Sequence, residues 1–256
     1  MAPFDEDRLA GGFDHGAVRV GETVLRTAGP WTPSMHALLK HLADKGFGGA
    51  PRPIELRPDG VEVVSYLDGD TVGATRPWPA WVHSDAALDD VARWLHDYHG
   101  AVADFRPPVG AVWREKGPAG ATGAIIAHND PAPYNAVWDG DGLVGFVDWD
   151  MAGPRAVESD IAWVAFSWVP LHSPDVVAAE GFTEFDRRRA RLERFLTTYG
   201  ARLDVGEVLE VCRERLDEHI RFIHHAADTG DATYRRMIRA GRPDDLQRAL
   251  VGLDEV

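Results

Sequence analysis

Two acids, an amide and a histidine lie close together in the middle of the chain. An apolar segment at 123–127 leads into His128 and Asp130, Asn135 follows, and Asp148 comes shortly after. A carboxylate can orient a hydroxyl group as a base, and carboxylate and amide oxygens are ligands that Mg²⁺ accepts. Mg²⁺ usually keeps several waters and completes its shell with substrate phosphates. These residue types therefore indicate Mg²⁺-assisted phosphoryl transfer.

The residues between them predict a β-hairpin that brings these side chains together. Apolar stretches at 136–138 and 143–147 flank a run of Asp and Gly residues, which is typical of a hairpin connection. With the turn centred on the middle of that run, we expect Asn135 opposite Phe146 and Asp148 two residues further on. Adjacent strands lie about 4.8 Å apart and each residue advances about 3.3 Å, so both side chains could reach one ion.

The ordered set of motifs resembles the aminoglycoside phosphotransferase superfamily, whose fold is protein-kinase-like. The loop reads His128-Asn129-Asp130, and the later acid reads Asp148-Trp149-Asp150. The subgroup that the chain most resembles is the trifolitoxin-immunity-type phosphotransferases of actinobacteria. The resembling segments are 18–21 with 23–24, 29–33, 50–52, 128–135, 148–154, 160–162 and 169–171.

The resemblance implies a role for each matching residue. Asp130 would accept or orient the proton of the acceptor hydroxyl, and His128 would be a scaffold residue of the catalytic loop. Asn135 and Asp148 would bind Mg²⁺. Asp160 would support the catalytic loop from the helix that follows.

The same resemblance implies an ATP or GTP site in the N-terminal part of the chain. The backbone at Val64, Ser65 and Tyr66 would meet the base of the nucleotide. Two interpretations of Asp150 stay open, a solvated acid or a second contact to the metal.

The first seventy residues predict a small sheet with one helix. Strands are expected at 17–20 and 23–26, and a second hairpin at 53–67. Between them, Thr32 is expected to cap a helix that ends at Gly46. The predicted order is ββαββ.

Beyond residue 67 the chain is mostly helical. Ser84 or Asp85 is expected to cap one helix, and apolar residues at spacings of three and four predict another at 209–227. We therefore expect an α+β fold with two lobes. The small nucleotide-binding lobe would span residues 1–67, and the helical lobe with the catalytic hairpin would span 68–256.

The chain departs from the family pattern at the expected phosphate site. Arg26 stands where the family has a lysine, and the helix from Pro33 to Lys45 contains no glutamate to hold it. His36 lies near the position where that glutamate is expected. Arginine can bind phosphate through two parallel hydrogen bonds, so the positive charge is kept while the geometry changes. The glycines at 11–16 lack the kinase spacing.

Composition excludes several other classes of protein. The chain has 256 residues, with 27 Lys and Arg against 41 Asp and Glu, for a net charge of −14. This balance disfavours nucleic acid as a partner. The single cysteine excludes disulfide frameworks and cysteine zinc sites. The sequence contains no basic-then-apolar leader and no apolar run of about 18 residues, so we expect a cytoplasmic protein without a membrane partner.

The expected function is phosphorylation of a hydroxyl group on a small molecule, with ATP or GTP and Mg²⁺ as cofactors. The excess of acids favours a cationic natural product, such as an antibiotic, and with it a role in resistance. The family resemblance also implies choline-like, nucleoside, homoserine and macrolide acceptors, and composition does not choose among them. Two alternatives remain. One is a non-catalytic, kinase-fold binding or immunity protein, which is favoured by Arg26 in place of lysine and by the missing helix glutamate. The other is a kinase that acts on a peptide.

Overall fold

The computed structural model describes residues 16–73, 75–115, 117 and 124–256, together with the backbone of residues 6–8. The chain forms two compact units. The first consists of Met1–Ala74 and Trp94–Val157, and the second of Thr75–Arg93 and Glu158–Val256. The sheet and the predicted catalytic hairpin therefore fall in the same unit. The lobe boundary after residue 67 stays a prediction.

The first unit contains a five-stranded antiparallel sheet with the order β1-β2-β3-β5-β4. Its strands are β1 (Glu6–Arg8), β2 (Val18–Val20), β3 (Thr23–Thr27), β4 (Pro53–Leu56) and β5 (Val61–Ser65). Both predicted hairpins are confirmed. The predicted order lacked β1, which pairs with β2 and precedes it in the chain. The glycine-containing segment 11–15 lies outside the described residues.

Helix α1 (Thr32–Asp44) lies between β3 and β4 in the chain. Its buried face consists of Met35, Leu38, Leu39 and Leu42, as the helical spacing predicts. The expectation that Thr32 is the N-cap is wrong, because Trp31 holds that position. The Thr32 hydroxyl instead accepts a hydrogen bond from the backbone N–H of Gly29 at 2.9 Å.

The segment that contains His128 and Asp130 begins after α2 (Asp85–Val102), whose Ser84 cap accepts from the Ala87 N–H at 3.1 Å. Four short strands follow: β6 (Ile125–Ala127), β7 (Ala136–Trp138), β8 (Leu143–Phe146) and β9 (Gly153–Arg155). Strands β7 and β8 form the predicted hairpin, and β6 pairs with β9. The segment from β6 to β9 therefore folds back on itself.

The hairpin register differs from the prediction by one residue. Ala136, rather than Asn135, lies opposite Phe146, because the register shifts between Val137 and Trp138. The carbonyl of Asn135 accepts from the Val147 N–H at 2.9 Å. Asp148 is thus only one residue beyond Val147, the partner of Asn135. Asn135 and Asp148 therefore lie closer together than expected.

The second unit is helical. Its helices are α3 (Val157–Trp168), α4 (Pro174–Ala179), α5 (Arg188–Tyr199), α6 (Val205–Asp228), α7 (Ala232–Arg239) and α8 (Arg242–Gly252), of which α3 begins at the last residue of the first unit. Helix α6 confirms the predicted stripe, with Leu209, Cys212 and Leu216 buried. None of the helices in the described part of the chain has the length and apolar character that a membrane span requires.

Candidate active site

His128 is buried directly after β6 and lies against the ring of Trp149 at 4.4 Å between centroids. Its Nε2 lies 3.0 Å from the Val147 carbonyl, and its Nδ1 accepts from the Asp130 N–H at 3.2 Å. These partners place the ring proton on Nε2. Burial lowers the pKa of His128 to about 3, so the ring is neutral at physiological pH. His128 thus links the Asp130 N–H to the Val147 carbonyl, and its scaffold role stays a prediction.

Two residues of the site have left-handed backbones. Asn129 has φ 65°, and Asp148 has φ 61°. Such conformations cost about 1 to 3 kcal/mol and persist only where the surroundings enforce them. The Asn129 side chain supplies one constraint, because its Nδ2 donates to the Met151 carbonyl at 2.9 Å. The loop of Asp130 is thereby tied to the segment that follows Asp148.

The Asp130 carboxylate accepts two side-chain hydrogen bonds. The Tyr134 hydroxyl donates to Oδ1 at 2.9 Å, and Nδ2 of Asn135 donates to Oδ2 at 2.9 Å. Nδ2 of Asn135 also donates to the Asp130 carbonyl at 2.9 Å. Since the nitrogen of this amide faces Asp130, its oxygen is the atom that could bind a cation. The structure thus brings Asp130 and Asn135 together as predicted.

Arg26, on β3, contacts both acids that follow β8. Its Nη1 lies 3.3 Å from Oδ1 of Asp148, and its Nη2 lies 2.9 Å from Oδ1 of Asp150. Asp150 is therefore held by an ion pair and is not simply a solvated acid. Burial acts to lower the pKa of Arg26, but Asp150, Glu62 and Asp148 together raise it above its ordinary value. The guanidinium is permanently charged.

Glu62 holds Arg26 from the neighbouring strand and was not among the predicted site residues. The two residues are direct cross-strand partners on β3 and β5, and Nε of Arg26 lies 2.7 Å from Oε2 of Glu62. Nε2 of His36 lies 3.0 Å from the other carboxylate oxygen. Strand β5 thus provides the acid that α1 lacks, and His36 supports it. The available signal was an acid between apolar residues, since buried charges require partners.

Glu62 is ionised although it is only 1% exposed. Burial acts to raise its pKa, but the hydrogen bond with His36 and the charge of Arg26 outweigh burial and lower it. Asp148 behaves differently. Burial raises the pKa of Asp148, Arg26 opposes the increase and Asp150 adds to it. His36 and Arg26 together thus stabilise the charge of Glu62, whereas at Asp148 the charge of Arg26 does not outweigh burial and Asp150.

The residues expected to meet the nucleotide base use some of their backbone N–H groups in hydrogen bonds to neighbouring backbone. The Ser65 N–H donates to the Arg52 carbonyl at 2.8 Å, and the Tyr66 N–H donates to the Glu22 carbonyl at 2.9 Å. A base at this edge would therefore use carbonyl groups here, or N–H groups after Tyr66. The roles of Val64, Ser65 and Tyr66 stay predictions.

Asp160 lies in the first turn of α3 and is 2% exposed. It belongs to the second unit, whereas the catalytic loop belongs to the first. Its supporting role stays a prediction.

The sequence matches a known family and a curated relative. Residues 111–195 match the profile of the phosphotransferase enzyme family. The trifolitoxin immunity protein of Rhizobium leguminosarum bv. trifolii is 30% identical over 200 residues, which are 77% of this chain and 74% of that protein.

Solved structures of kinases share the fold. A choline/ethanolamine kinase family protein from Mesorhizobium loti superposes with a TM-score of 0.58 at 16% identity, over 98% of this chain and 92% of that chain. Aminoglycoside phosphotransferase APH(3'')-Id from Streptomyces rimosus, in complex with ADP and streptomycin, superposes with a TM-score of 0.51 at 13% identity, over 81% and 90%. These likenesses confirm the two-lobed, kinase-like α+β fold class. The family profile and the relative that is 30% identical together show that this chain belongs to the phosphotransferase enzyme family.

Proposed function

We propose that this protein is a kinase that transfers the terminal phosphoryl group of ATP or GTP to a hydroxyl group of a small molecule. One observation carries the proposal: Asp130, Asn135 and Asp148 lie on one folded segment, and Arg26 contacts Asp148. Family membership and the ADP-bound structural neighbour support nucleotide binding.

Asp130 is the residue proposed to act on the acceptor. Its carboxylate is anchored by Nδ2 of Asn135 and lies in a loop fixed by His128. Phosphoryl transfer depends mostly on positioning and charge neutralisation, so a carboxylate held in one orientation suits the role. His128 supports this carboxylate through the backbone and remains neutral.

The residues present fit Mg²⁺. Asp148, Asp150 and the amide oxygen of Asn135 are hard oxygen donors, and the Asp148 side chain is 43% exposed. Within the described residues, no three His, Cys, Asp or Glu side chains are arranged to hold a metal by themselves. Substrate phosphates and water would complete the shell, as is usual for this ion. When bound, Mg²⁺ would neutralise charge on the transferred phosphoryl group.

Arg26 is proposed to replace the usual lysine. Glu62 holds Nε, while Nη1 and Nη2 face the acids at the proposed metal site. The same two nitrogen atoms form the edge through which a guanidinium binds phosphate. This edge is the proposed contact to the nucleotide phosphates.

The acceptor is proposed to be a cationic natural product, such as an antibiotic. The net charge of −14 favours the approach of cations. A curated relative is named for immunity to a toxin, and one structural neighbour was solved with streptomycin. Both observations support a role in resistance.

A second candidate is a non-catalytic immunity protein. It is favoured by the three carboxylates that already surround Arg26. Such a protein would bind its toxin without forming a nucleoside diphosphate. A kinase that acts on a peptide would form the diphosphate with peptides but not with small hydroxyl compounds.

Asp130→Asn tests the catalytic proposal. We expect Mg²⁺-nucleotide affinity to change less than about twofold, because Asp130 is not proposed as a metal ligand. Diphosphate formation with a panel of amino sugars, macrolides and choline-like compounds should fall by about 10² to 10⁴.

The matched control is Asp141→Asn, which changes an exposed acid of the hairpin turn. The control should retain the wild-type rate. Equal rates for Asp130→Asn and the wild-type protein would contradict the assignment of Asp130. A wild-type protein that binds nucleotide but forms no diphosphate with these compounds or with peptides would favour the immunity protein.

A further inference from the structure

Tyr134 lies directly against the proposed catalytic carboxylate. Its hydroxyl donates to Oδ1 of Asp130 at 2.9 Å, while the residue is 41% exposed. The other carboxylate oxygen accepts from Nδ2 of Asn135 at 2.9 Å. An acceptor hydroxyl has to donate to this carboxylate in the same manner. The phenol thus makes the contact that the transfer reaction requires of its acceptor.

The loop holds Tyr134 in this place. Pro131 and Pro133 fix two backbone φ angles just before it. A 3₁₀ turn over Pro133–Asn135 follows, in which the Asn135 N–H donates to the Ala132 carbonyl at 2.9 Å. Tyrosine has only two side-chain torsions, so little conformational entropy is lost by ordering it. The backbone of the loop therefore holds Tyr134 in contact with Asp130.

We infer that Tyr134 is a specificity-determining residue of the acceptor site, an inference that rests on the proposed function. Its phenol occupies the acceptor-hydroxyl position at Oδ1 of Asp130, and a substrate hydroxyl has to displace it. Water brings a hydroxyl group but few other contacts, so water displaces the phenol poorly. When a larger hydroxyl compound binds, the hydrogen bond from Tyr134 to Asp130 is lost. The compound offsets this loss through its own binding interactions, which include packing on the exposed ring of Tyr134. Tyr134 thereby selects the substrate over water.

The two competing reactions have the same chemical balance. The acceptor oxygen bonds to the terminal phosphorus, the bond from that phosphorus to the diphosphate oxygen breaks, and the acceptor proton passes to Asp130. With a substrate hydroxyl the products are a phosphate ester and a nucleoside diphosphate. With water they are inorganic phosphate and the same diphosphate. Release of inorganic phosphate without an added acceptor therefore measures the reaction that Tyr134 suppresses.

The test compares phosphate release from Mg²⁺-ATP by the wild-type protein, Tyr134→Phe, Asp130→Asn and the double variant. Tyr134→Phe removes only the hydroxyl. We expect about three- to tenfold faster phosphate release, since one hydrogen bond contributes about 0.5 to 1.5 kcal/mol. The increase should vanish in the double variant. Tyr199→Phe, on α5 in the second unit, is the matched control and should match the wild-type protein.

Calorimetric titration with Mg²⁺-ATP shows whether a negative result concerns Tyr134 alone or the proposed function as a whole. Unchanged or slower phosphate release by Tyr134→Phe, with nucleotide affinity retained, would overturn the role of Tyr134 alone. An increase that persists in the double variant would also overturn it. Phosphate attached to Tyr134 in the intact-mass spectrum would overturn it as well, because the phenol would then be an acceptor. A wild-type protein that does not bind Mg²⁺-ATP would remove the proposed function and, with it, this inference.

Discussion

At the scale of single residues, the buried titratable groups of the site differ in charge because their partners differ. His128 is buried and neutral, whereas Glu62 is buried and ionised because His36 and Arg26 compensate it. At Asp148, burial and the charge of Asp150 outweigh the charge of Arg26 and raise the pKa of the carboxyl group. The site therefore combines a neutral support under the loop with anions that a cation can stabilise further.

The buried state of His128 predicts a pH dependence of stability. Its folded pKa of about 3 lies below the ordinary value of 6.5, so the unfolded chain takes up the proton first as the pH falls. His128 therefore lowers the free energy of unfolding progressively below about pH 6.5. His128→Gln should be less stable at pH 7, but its deficit should shrink by about 2 kcal/mol between pH 7 and 5.

Chemical denaturation across this pH range measures the effect. His224→Gln, which alters an exposed histidine of α6, serves as the control. A deficit of His128→Gln that stays constant with pH would mean that the ring titrates normally in the folded protein.

At the scale of elements, the β7–β8 hairpin requires a close approach of two backbone segments. Gly145 on β8 lies against Gly49, and a Cβ atom at Gly145 would be 2.5 Å from the Gly49 carbonyl oxygen. The same carbonyl accepts from the Phe146 N–H at 3.2 Å and from Nε1 of Trp94 at 2.9 Å. The segment before β4 is thus joined to the hairpin that carries Asp148.

Gly145→Ala should destabilise the protein by about 1 to 3 kcal/mol, because the added methyl group meets backbone rather than a movable side chain. Gly140→Ala in the turn of the same hairpin is the matched control, since nothing lies within 4 Å of its Cβ position. Thermal unfolding of both variants tests the prediction. Equal stabilities would contradict the close approach.

The sequence predicted those elements that depend on local patterns of residues. Turn residues and apolar alternation identified the two hairpins of the sheet, the β7–β8 hairpin and the loop of Asp130, since these are local patterns. The register was wrong by one residue because the irregularity at Val137 and Trp138 leaves no clear local signal. Glu62 was missed because β3 and β5 pair across an intervening helix. Non-local pairing brings Glu62 to Arg26, and only the fold reveals it.

At the scale of the whole molecule, the first unit holds most of the proposed machinery. Arg26 and Glu62 come from the sheet, and Asp130, Asn135 and Asp148 come from the folded segment of the same unit. Asp160 is the one proposed site residue in the second unit. We therefore expect nucleotide and metal affinity to depend chiefly on the residues of the first unit.

The most direct test is the melting temperature with and without Mg²⁺, in the presence of ATP or GTP, for the wild-type protein and Asp148→Ala. At a nucleotide concentration of about 100 times Kd, binding adds about 2.7 kcal/mol to the free energy of unfolding. For a chain of this size, that corresponds to a rise of about 5 to 10 °C. We predict a rise that requires Mg²⁺ and is lost in Asp148→Ala. The absence of a Mg²⁺-dependent rise in the folded wild-type protein, or an equal rise in Asp148→Ala, would contradict the proposed site.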